Sequence, residues 1–270
     1  MALAVRHHLP DWADVQWLQA TESTNTDLLM QARAHQPLPR LLGTHVQHHG
    51  RGRANRNFRT APAAALMFSC AFEVALPMAA LPTLSVMLGL VACETLAGRL
   101  AHGHQLRLKW PNDIQWGDAK LAGILMESAS SGIGESSRLV IGMGLNLTGA
   151  QELSASLGRP VADWQATGNS DRPAELCASV AIAWHKALAW AESCWQPSVG
   201  LMDLPWRYAV HDVLAGCPVQ VQDQGIVLMH GVAAGVAPDG RLQLRTDTGI
   251  QVVTAGDVSI RPSLARSETP

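Results

Sequence analysis

The chain has 270 residues, 47% of them apolar and 16% charged, with a formal net charge of −2. This composition excludes a disordered tail, and the near-neutral balance gives no overall basic surplus for gripping a nucleic-acid backbone. The length suits one large domain, or a large one followed by a small one. Five cysteines (Cys70, Cys93, Cys177, Cys194, Cys217) show no CxxC or zinc-type spacing and read as reduced core thiols of a cytoplasmic protein. The opening "MALAVRHHLP" holds no apolar run of signal-peptide length, so export is not expected.

In chain order, "VQWLQATEST" reads as a strand running into a turn, and "TNTDLLMQARAH" as a helix capped by Thr24 and Asp27. "LLGTHVQ" is strand-like again. From Leu28 to Phe72 there is no Asp or Glu, while Arg33, Arg40, Arg51, Arg53, Arg56 and Arg59 all fall there, a local anion trap. Much of it forms a loop of roughly 15 residues before the apolar strand "ALMFSCAFEV", and loops of that length tend to bind ligands or act as lids. The stretch from Val74 to Cys93 carries no charge, but Pro77 and Pro82 interrupt it. It therefore reads as a buried helix from about Pro82 to Ala101, not a membrane span.

"LRLKWPND", "KLAGILMES" and "RLVIGMGLNLT" are three short apolar runs separated by turn residues, which predicts adjacent strands of one sheet. Pro173 to Cys194 has apolar residues at helical spacing, and a second helix is expected over Val199 to Val210. At Ala215 the texture changes to short alternating strands with Asp-Gly and Thr-Gly turns. The expected division is a domain over 1–214 and a small all-β module over 215–270.

A phosphate-binding GxxxxGK[ST] loop is missing, and "GMGLNLTG" fails the GxGxxG spacing, so its glycines either admit a ligand to a strand end or form a turn. The basic loop "GRGRANRNF" is either a solvated surface loop or an anion clamp, and arginine's fixed charge and fork geometry favour the clamp. In "KWPNDIQW", Pro111 keeps Trp110 out of the helical region and fixes Asn112 and Asp113; the plainer reading is an Asn-Asp turn. Lys120 in "KLAGIL" is either a solvated end cap or a point charge aimed into a pocket. His45, His48 and His49 lack HExxH spacing, and no resident metal site is expected.

"ESTN" (Glu22–Asn25), "QHHGRGR" (Gln47–Arg53), "KWPND" (Lys109–Asp113), "KLAGIL" (Lys120–Leu125), "GMGLN" (Gly142–Asn146) and "DVSIR" (Asp257–Arg261) occur together in the order and spacing of the biotin protein ligases. The chain resembles that family from about Trp17 to Arg261. The resemblance implies an α/β (α+β) fold: a mixed-sheet, class II synthetase-like catalytic domain followed by a small SH3-like β-barrel. It implies an ATP-dependent enzyme that makes biotinyl-5′-AMP and transfers biotin to a lysine of a carrier protein. The substrates are biotin and ATP with Mg²⁺, and the partner is the biotin carboxyl carrier domain of acetyl-CoA carboxylase or another biotin-dependent carboxylase.

By the same resemblance, Ser23, Thr24, Asn25 and Gln47 hold the ureido ring. Gly50, Arg51, Gly52 and Arg53 bring the biotin carboxylate and the α-phosphate together, and Lys120 beside Gly123 stabilises the developing charge. Arg53, Arg56, Phe58, Lys109, Asn112, Asn146 and Arg261 surround the adenylate. Asp113 is the candidate general base, and with Asn112 it positions Mg²⁺ or the incoming lysine. Roughly fifteen residues precede the first strand, too few for the winged helix that lets some members repress transcription, so neither DNA nor a membrane is an expected partner. The expected state is a monomer or weak homodimer. The chain departs from the family's usual residues at His48, His49, Ala54, Asn55, Asn57 and Phe58. The alternatives are a lipoate or octanoate ligase of the same fold, whose RRxxGGG-type segment is absent here, and a non-catalytic biotin sensor.

Overall fold

The computed structural model describes residues 1–52, 58, 63–129, 136–223, 225–254 and 259–262, with backbone alone at 259, 261 and 262. Among these, α1 (Ala2–His8), β1 (Asp14–Thr21), α2 (Thr24–Arg33), β2 (Arg40–Gln47) and β3 (Ala65–Val74) come first. They are followed by α3 (Leu81–Ala97), β4 (Leu106–Lys109), β5 (Asp113–Trp116), β6 (Ala119–Ser128), β7 (Ser137–Asn146), α4 (Ala150–Leu157), α5 (Pro173–Cys194) and α6 (Leu204–His211). The chain closes with β8 (Pro218–Asp223), β9 (Ile226–Val236), β10 (Leu242–Thr246), β11 (Gly249–Val253) and β12 (Ser259–Pro262).

Seven strands form one sheet in the order β1-β2-β3-β7-β6-β5-β4. Only β1 and β2 run parallel; every other neighbouring pair is antiparallel, so the sheet is mixed as expected. Side chains alternate across it. On β7, Leu139, Ile141, Met143 and Leu145 face one way and join the main core with Phe68 and Cys70 of β3. That face is covered by α3 and α5, whose Leu84, Leu88, Leu176, Val180 and Trp184 are fully buried. The opposite face is covered at one end by α2 alone, where Leu28, Leu29 and Ala32 pack on Leu42, Ala71 and Val140. Among the described residues no helix is laid on the rest of this second face.

The uncharged stretch after Val74 is the buried helix it was expected to be, with Pro82 in the first turn of α3. The helix stops at Ala97 instead of near Ala101, and α6 starts five residues later than expected, at Leu204. "LRLKWPND" is not one strand: it holds β4, a turn and the start of β5. The cap of α2 is Ser23; Thr24 lies inside the helix because Gln47 and Ser69 occupy its hydroxyl. All five cysteines are unpaired, and Cys70, Cys93 and Cys177 are buried, but Cys194 is exposed at the end of α5.

The five C-terminal strands form a second sheet, ordered β11-β10-β9-β8-β12. Its β9–β10 turn docks on the large sheet's strand-end motif. The buried Trp110 indole donates to Gly240 O at 3.0 Å, Thr83 Oγ1 donates to Asp239 O at 3.0 Å, and Leu201 N–H donates to Pro238 O at 2.8 Å. Gly240 has φ +82°, and a Cβ there would lie 3.0 Å from Thr83 Cα, so the turn needs glycine twice over.

Behind β4 lies a buried carboxyl. Asp212 Oδ1 accepts from Leu214 N–H at 2.8 Å, but no donor among the described residues reaches its Oδ2. Burial raises its pKa, against the opposing pull of the Leu214 amide and Arg107. A folded-state pKa raised above the unfolded value means that this group's stabilisation is complete below the unfolded pKa and is lost as pH rises through the folded one. Asp212→Asn keeps the acceptor and removes the charge. Between about pH 4 and pH 7 the wild type should lose more unfolding free energy in urea than Asp212→Asn does. Parallel pH profiles would contradict this.

Candidate active site

The uncovered face of the sheet is floored by glycine. Gly142 on β7 stands between Ser69 of β3 and Leu125 of β6, and Gly144 stands between Met67 and Gly123. Two adjacent cross-strand rows therefore carry Gly142, Gly144 and Gly123 where neighbouring rows carry side chains, which leaves a shallow trough. Its occupants come close to the backbone: a Cβ at Gly142 would lie 2.1 Å from Asn25 Oδ1, and one at Gly144 would lie 2.5 Å from Phe58 Cζ.

A bulge aims the lysine into the trough. Ile114 pairs with Ala122 but Gln115 pairs with Lys120, so β6 carries one extra residue, Leu121, opposite β5. In unbroken alternation Lys120 would share the face of the buried Ala122 and Ile124; the extra residue turns it onto the face of Asp113 and Gly123. There Lys120 Nζ donates to Asp113 Oδ1 at 2.5 Å, with Gly123 close below. Asn112 is held by paired bonds to Ile124, its Nδ2 donating to Ile124 O at 2.6 Å and its carbonyl accepting from Ile124 N–H at 3.0 Å.

At the other end of the trough the first turn of α2 supplies a polar cluster. Gln47 Oε1 accepts from Thr24 N at 2.8 Å and lies 3.1 Å from Thr24 Oγ1. Thr24 Oγ1 shares a hydrogen bond with Ser69 Oγ at 2.7 Å, and Ser69 Oγ donates to Asn25 Oδ1 at 2.6 Å. Asn25 Nδ2 donates to Glu127 Oε2 at 2.9 Å and, more weakly, to Leu125 O at 3.4 Å. Ser23, Thr24 and Asn25 are all nearly inaccessible, so their remaining hydrogen-bonding capacity is aimed inward. Among the described residues Gln47 Nε2 meets only the weak acceptor Met67 Sδ, at 3.5 Å, and keeps donor capacity for a carbonyl.

The basic loop leaves the sheet beside this cluster. His48 and His49 continue the pairing with β1 through Thr21 O and Glu22 O, and the His49 ring bonds the Glu22 carboxylate, holding that acid below its ordinary pKa. Arg51 Nη2 pairs with Glu127 Oε1 at 2.9 Å. Phe58 returns to the loop base, its N–H donating to Gly50 O at 2.7 Å, and its ring lies on Gly144. Beyond the lysine, Asn146 Nδ2 donates to Ala162 O at 3.0 Å and Lys120 O at 3.4 Å. Asn146 Oδ1 is buried, and no donor among the described residues reaches it.

Of the expected site residues, Ser23, Thr24, Asn25, Gln47, Gly50, Arg51, Phe58, Asn112, Asp113, Lys120, Gly123 and Asn146 thus gather on or around one face. Gly52 follows Arg51 at the loop's root, and Lys109 ends β4, opposite Asp113. Arg53 and Arg56 lie outside the described residues. Arg261 sits on β12, paired with Gln220. Ser69 and Glu127 were not anticipated; each stands inside an apolar strand run, where a single polar residue draws no notice. The glycines of "GMGLN" form no turn and instead admit side chains to the sheet. Among the described residues no three His, Cys, Asp or Glu side chains assemble as a metal site.

Residues 17–146 match the biotin/lipoate A/B protein ligase family, and residues 216–261 match the biotin protein ligase C-terminal domain. The biotin--[acetyl-CoA-carboxylase] ligase of Paracoccus denitrificans is 29% identical over 252 residues, covering 89% of this chain and 98% of that protein. The bifunctional ligase/repressor BirA of Escherichia coli is 28% identical over 223 residues, and this chain spans 64% of its length. Among solved structures, the biotin protein ligase from Aquifex aeolicus in complex with biotin and ATP superposes with a TM-score of 0.72 at 23% identity, over 92% of this chain and 98% of that one.

The bare backbone at Gly142 is testable without any ligand. Gly142→Ala would force Asn25 off the sheet or bend β7, an overpacking that should cost about 1–3 kcal/mol in denaturant unfolding. An unchanged midpoint would show that Asn25 does not sit against the strand.

Proposed function

This chain belongs to the biotin/lipoate A/B protein ligase family and carries the biotin protein ligase C-terminal domain, and from that premise we infer that it activates biotin with ATP and delivers it to a lysine of a biotin carboxyl carrier protein. The observation that carries the reading is the glycine-floored trough with a hydrogen-bonding end, at Thr24 and Gln47, and a cationic end, at Lys120, with Arg51 held on Glu127 at the root of the basic loop. Biotin has the same polarity: a neutral ureido ring at one end and a carboxylate at the other.

The carboxylate is inert toward an amine because its leaving group would be oxide. Joining it to AMP supplies a leaving group, and the difficulty then becomes electrostatic, since carboxylate and α-phosphate repel each other. In this reading Arg51 supplies the charge that neutralises both, and Lys120 adds a compact charge where oxygens gain negative charge in the transition state. In the ureido slot Gln47 Nε2 and the Ser23 hydroxyl are the donors for the ring carbonyl. Asn25 spends its N–H groups on Glu127 and Leu125 and offers only acceptor capacity to a ring N–H. The buried, unfilled Asn146 Oδ1 suits an N–H or O–H of the nucleotide, and Phe58 offers it an aromatic face.

Magnesium accompanies ATP in this reading. Asp113 is already ion-paired with Lys120, so the ion would be held mainly by the phosphates, with Asp113 or Asn112 as a protein-side contact. In the second half-reaction a carrier lysine, protonated in water with a pKa of about 10.4, must lose a proton before attack, and Asp113 is the candidate acceptor. The matched domains support two functional units, 1–214 and 215–270, with the Trp110–Gly240 contact between them. Five unpaired cysteines suit action in the reducing cytoplasm.

Pyrophosphate release should require biotin and fail with lipoate or octanoate; equal release with lipoate would make the chain a lipoate ligase, and biotin binding without release would make it a sensor. Lys120→Ala should lower kcat/KM for release by about 10²–10³-fold, roughly 3–4 kcal/mol of lost transition-state stabilisation. Near-normal release by that variant would remove the lysine from the mechanism.

A further inference from the structure

Glu127 stands at the α2 end of the trough, where it joins the polar cluster to the basic loop. Its Oε2 accepts from the Asn25 amide at 2.9 Å and its Oε1 pairs with the Arg51 guanidinium at 2.9 Å. It also terminates a run of side-chain hydrogen bonds that begins at the Thr24 hydroxyl and passes through Ser69 and Asn25, with Gln47 joined to its start by the Thr24 backbone N–H. The run rests on the reading of the trough given above. We propose that Glu127 is a positioning residue that couples occupation of the ureido slot to the placement of Arg51 over the reacting carboxylate and phosphate.

The chemistry demands a carboxylate at this position. Two donors, Asn25 Nδ2 and Arg51 Nη2, converge on one side chain, and only an ionised carboxylate offers an acceptor oxygen to each. An amide presents one oxygen and one NH₂, so either Asn25 or Arg51 would face a donor. The carboxylate is also the one acid on this stretch of β6, and its side chain is only 21% exposed, against 40% for Arg51. The guanidinium is therefore anchored on a largely buried carboxylate before any anion arrives, and little rotamer freedom is left to lose on binding. Because Glu127 lies two residues beyond Leu125, which stands directly beside Gly142, the tether borders the trough floor at its α2 end, next to Asn25. Any shift of Asn25 as the ureido ring settles moves the acceptor that steers Arg51.

The test is a pair of double-mutant cycles on the full chain, read by the single-turnover rate of biotin-dependent pyrophosphate release at saturating biotin and ATP. Glu127→Gln should slow release roughly tenfold or more, with an unfolding midpoint close to wild type. In the Arg51→Ala background the same substitution should cost about twofold or less, and in the Asn25→Ala background its cost should likewise shrink, because a bridge acts only through the residues it joins. Losses that simply multiply in both backgrounds would overturn the coupling, as would a Glu127→Gln enzyme that releases pyrophosphate at the wild-type rate. A wild-type chain inert toward biotin would instead overturn the function from which this proposal starts.

Discussion

The absence of three β-carbons governs the site. Gly142, Gly144 and Gly123 lie in neighbouring rows of an otherwise filled sheet, and polar, aromatic and charged side chains occupy the gap: Asn25 against the first, Phe58 against the second, and Lys120 with Asp113 over the third. On the opposite face of β3 and β7 the alternation is unbroken and apolar, held by α3 and α5. The sheet is thus a rigid core wall on one side and a shallow receptacle on the other, and the floor cannot move without disturbing the core.

Two anions must be brought together on that floor, and the positive charges are mounted in different ways. Lys120 is fixed: a bulged strand turns it to the site and Asp113 holds its ammonium. Arg51 sits at the root of a loop, tied back to the sheet through Glu127 and through the Gly50–Phe58 backbone bond. Fixed charges already in place when the substrates arrive need no reorganisation as negative charge builds, which is how such sites stabilise a transition state. The small C-terminal sheet contributes at a distance, because its β9–β10 turn grips Trp110 and so steadies the strand-end that carries Asn112 and Asp113.

The sequence was legible where pattern is local. The long helix from Pro173 to Cys194 shows its period directly, proline marks the start of α3, and the shift at Ala215 to short alternating strands announces the second sheet. The site motifs were legible as unusual mixtures of charge, amide and glycine, and most of those residues do converge. Features that need a partner strand were not legible. The split of "LRLKWPND" into β4 and β5, the bulge that turns Lys120, and the shift of the α2 cap from Thr24 to Ser23 are all decided across the sheet, by Ile114, Gln115, Gln47 and Ser69. Glu127 escaped notice for the same reason: a single acid on a strand looks like a solvated residue until Arg51 and Asn25 are seen to meet on it.

The central claim is that the trough is a biotin slot with its cationic end at the carboxylate. A crystal structure of the chain with biotin and a non-hydrolysable ATP analogue tests it most directly. The account predicts the ureido ring between Gln47 and Ser23, the carboxylate within hydrogen-bonding distance of Arg51 or Lys120, and the α-phosphate beside it. Biotin lying away from the glycine floor, or bound with its carboxylate toward α2 and both cations unengaged, would contradict it.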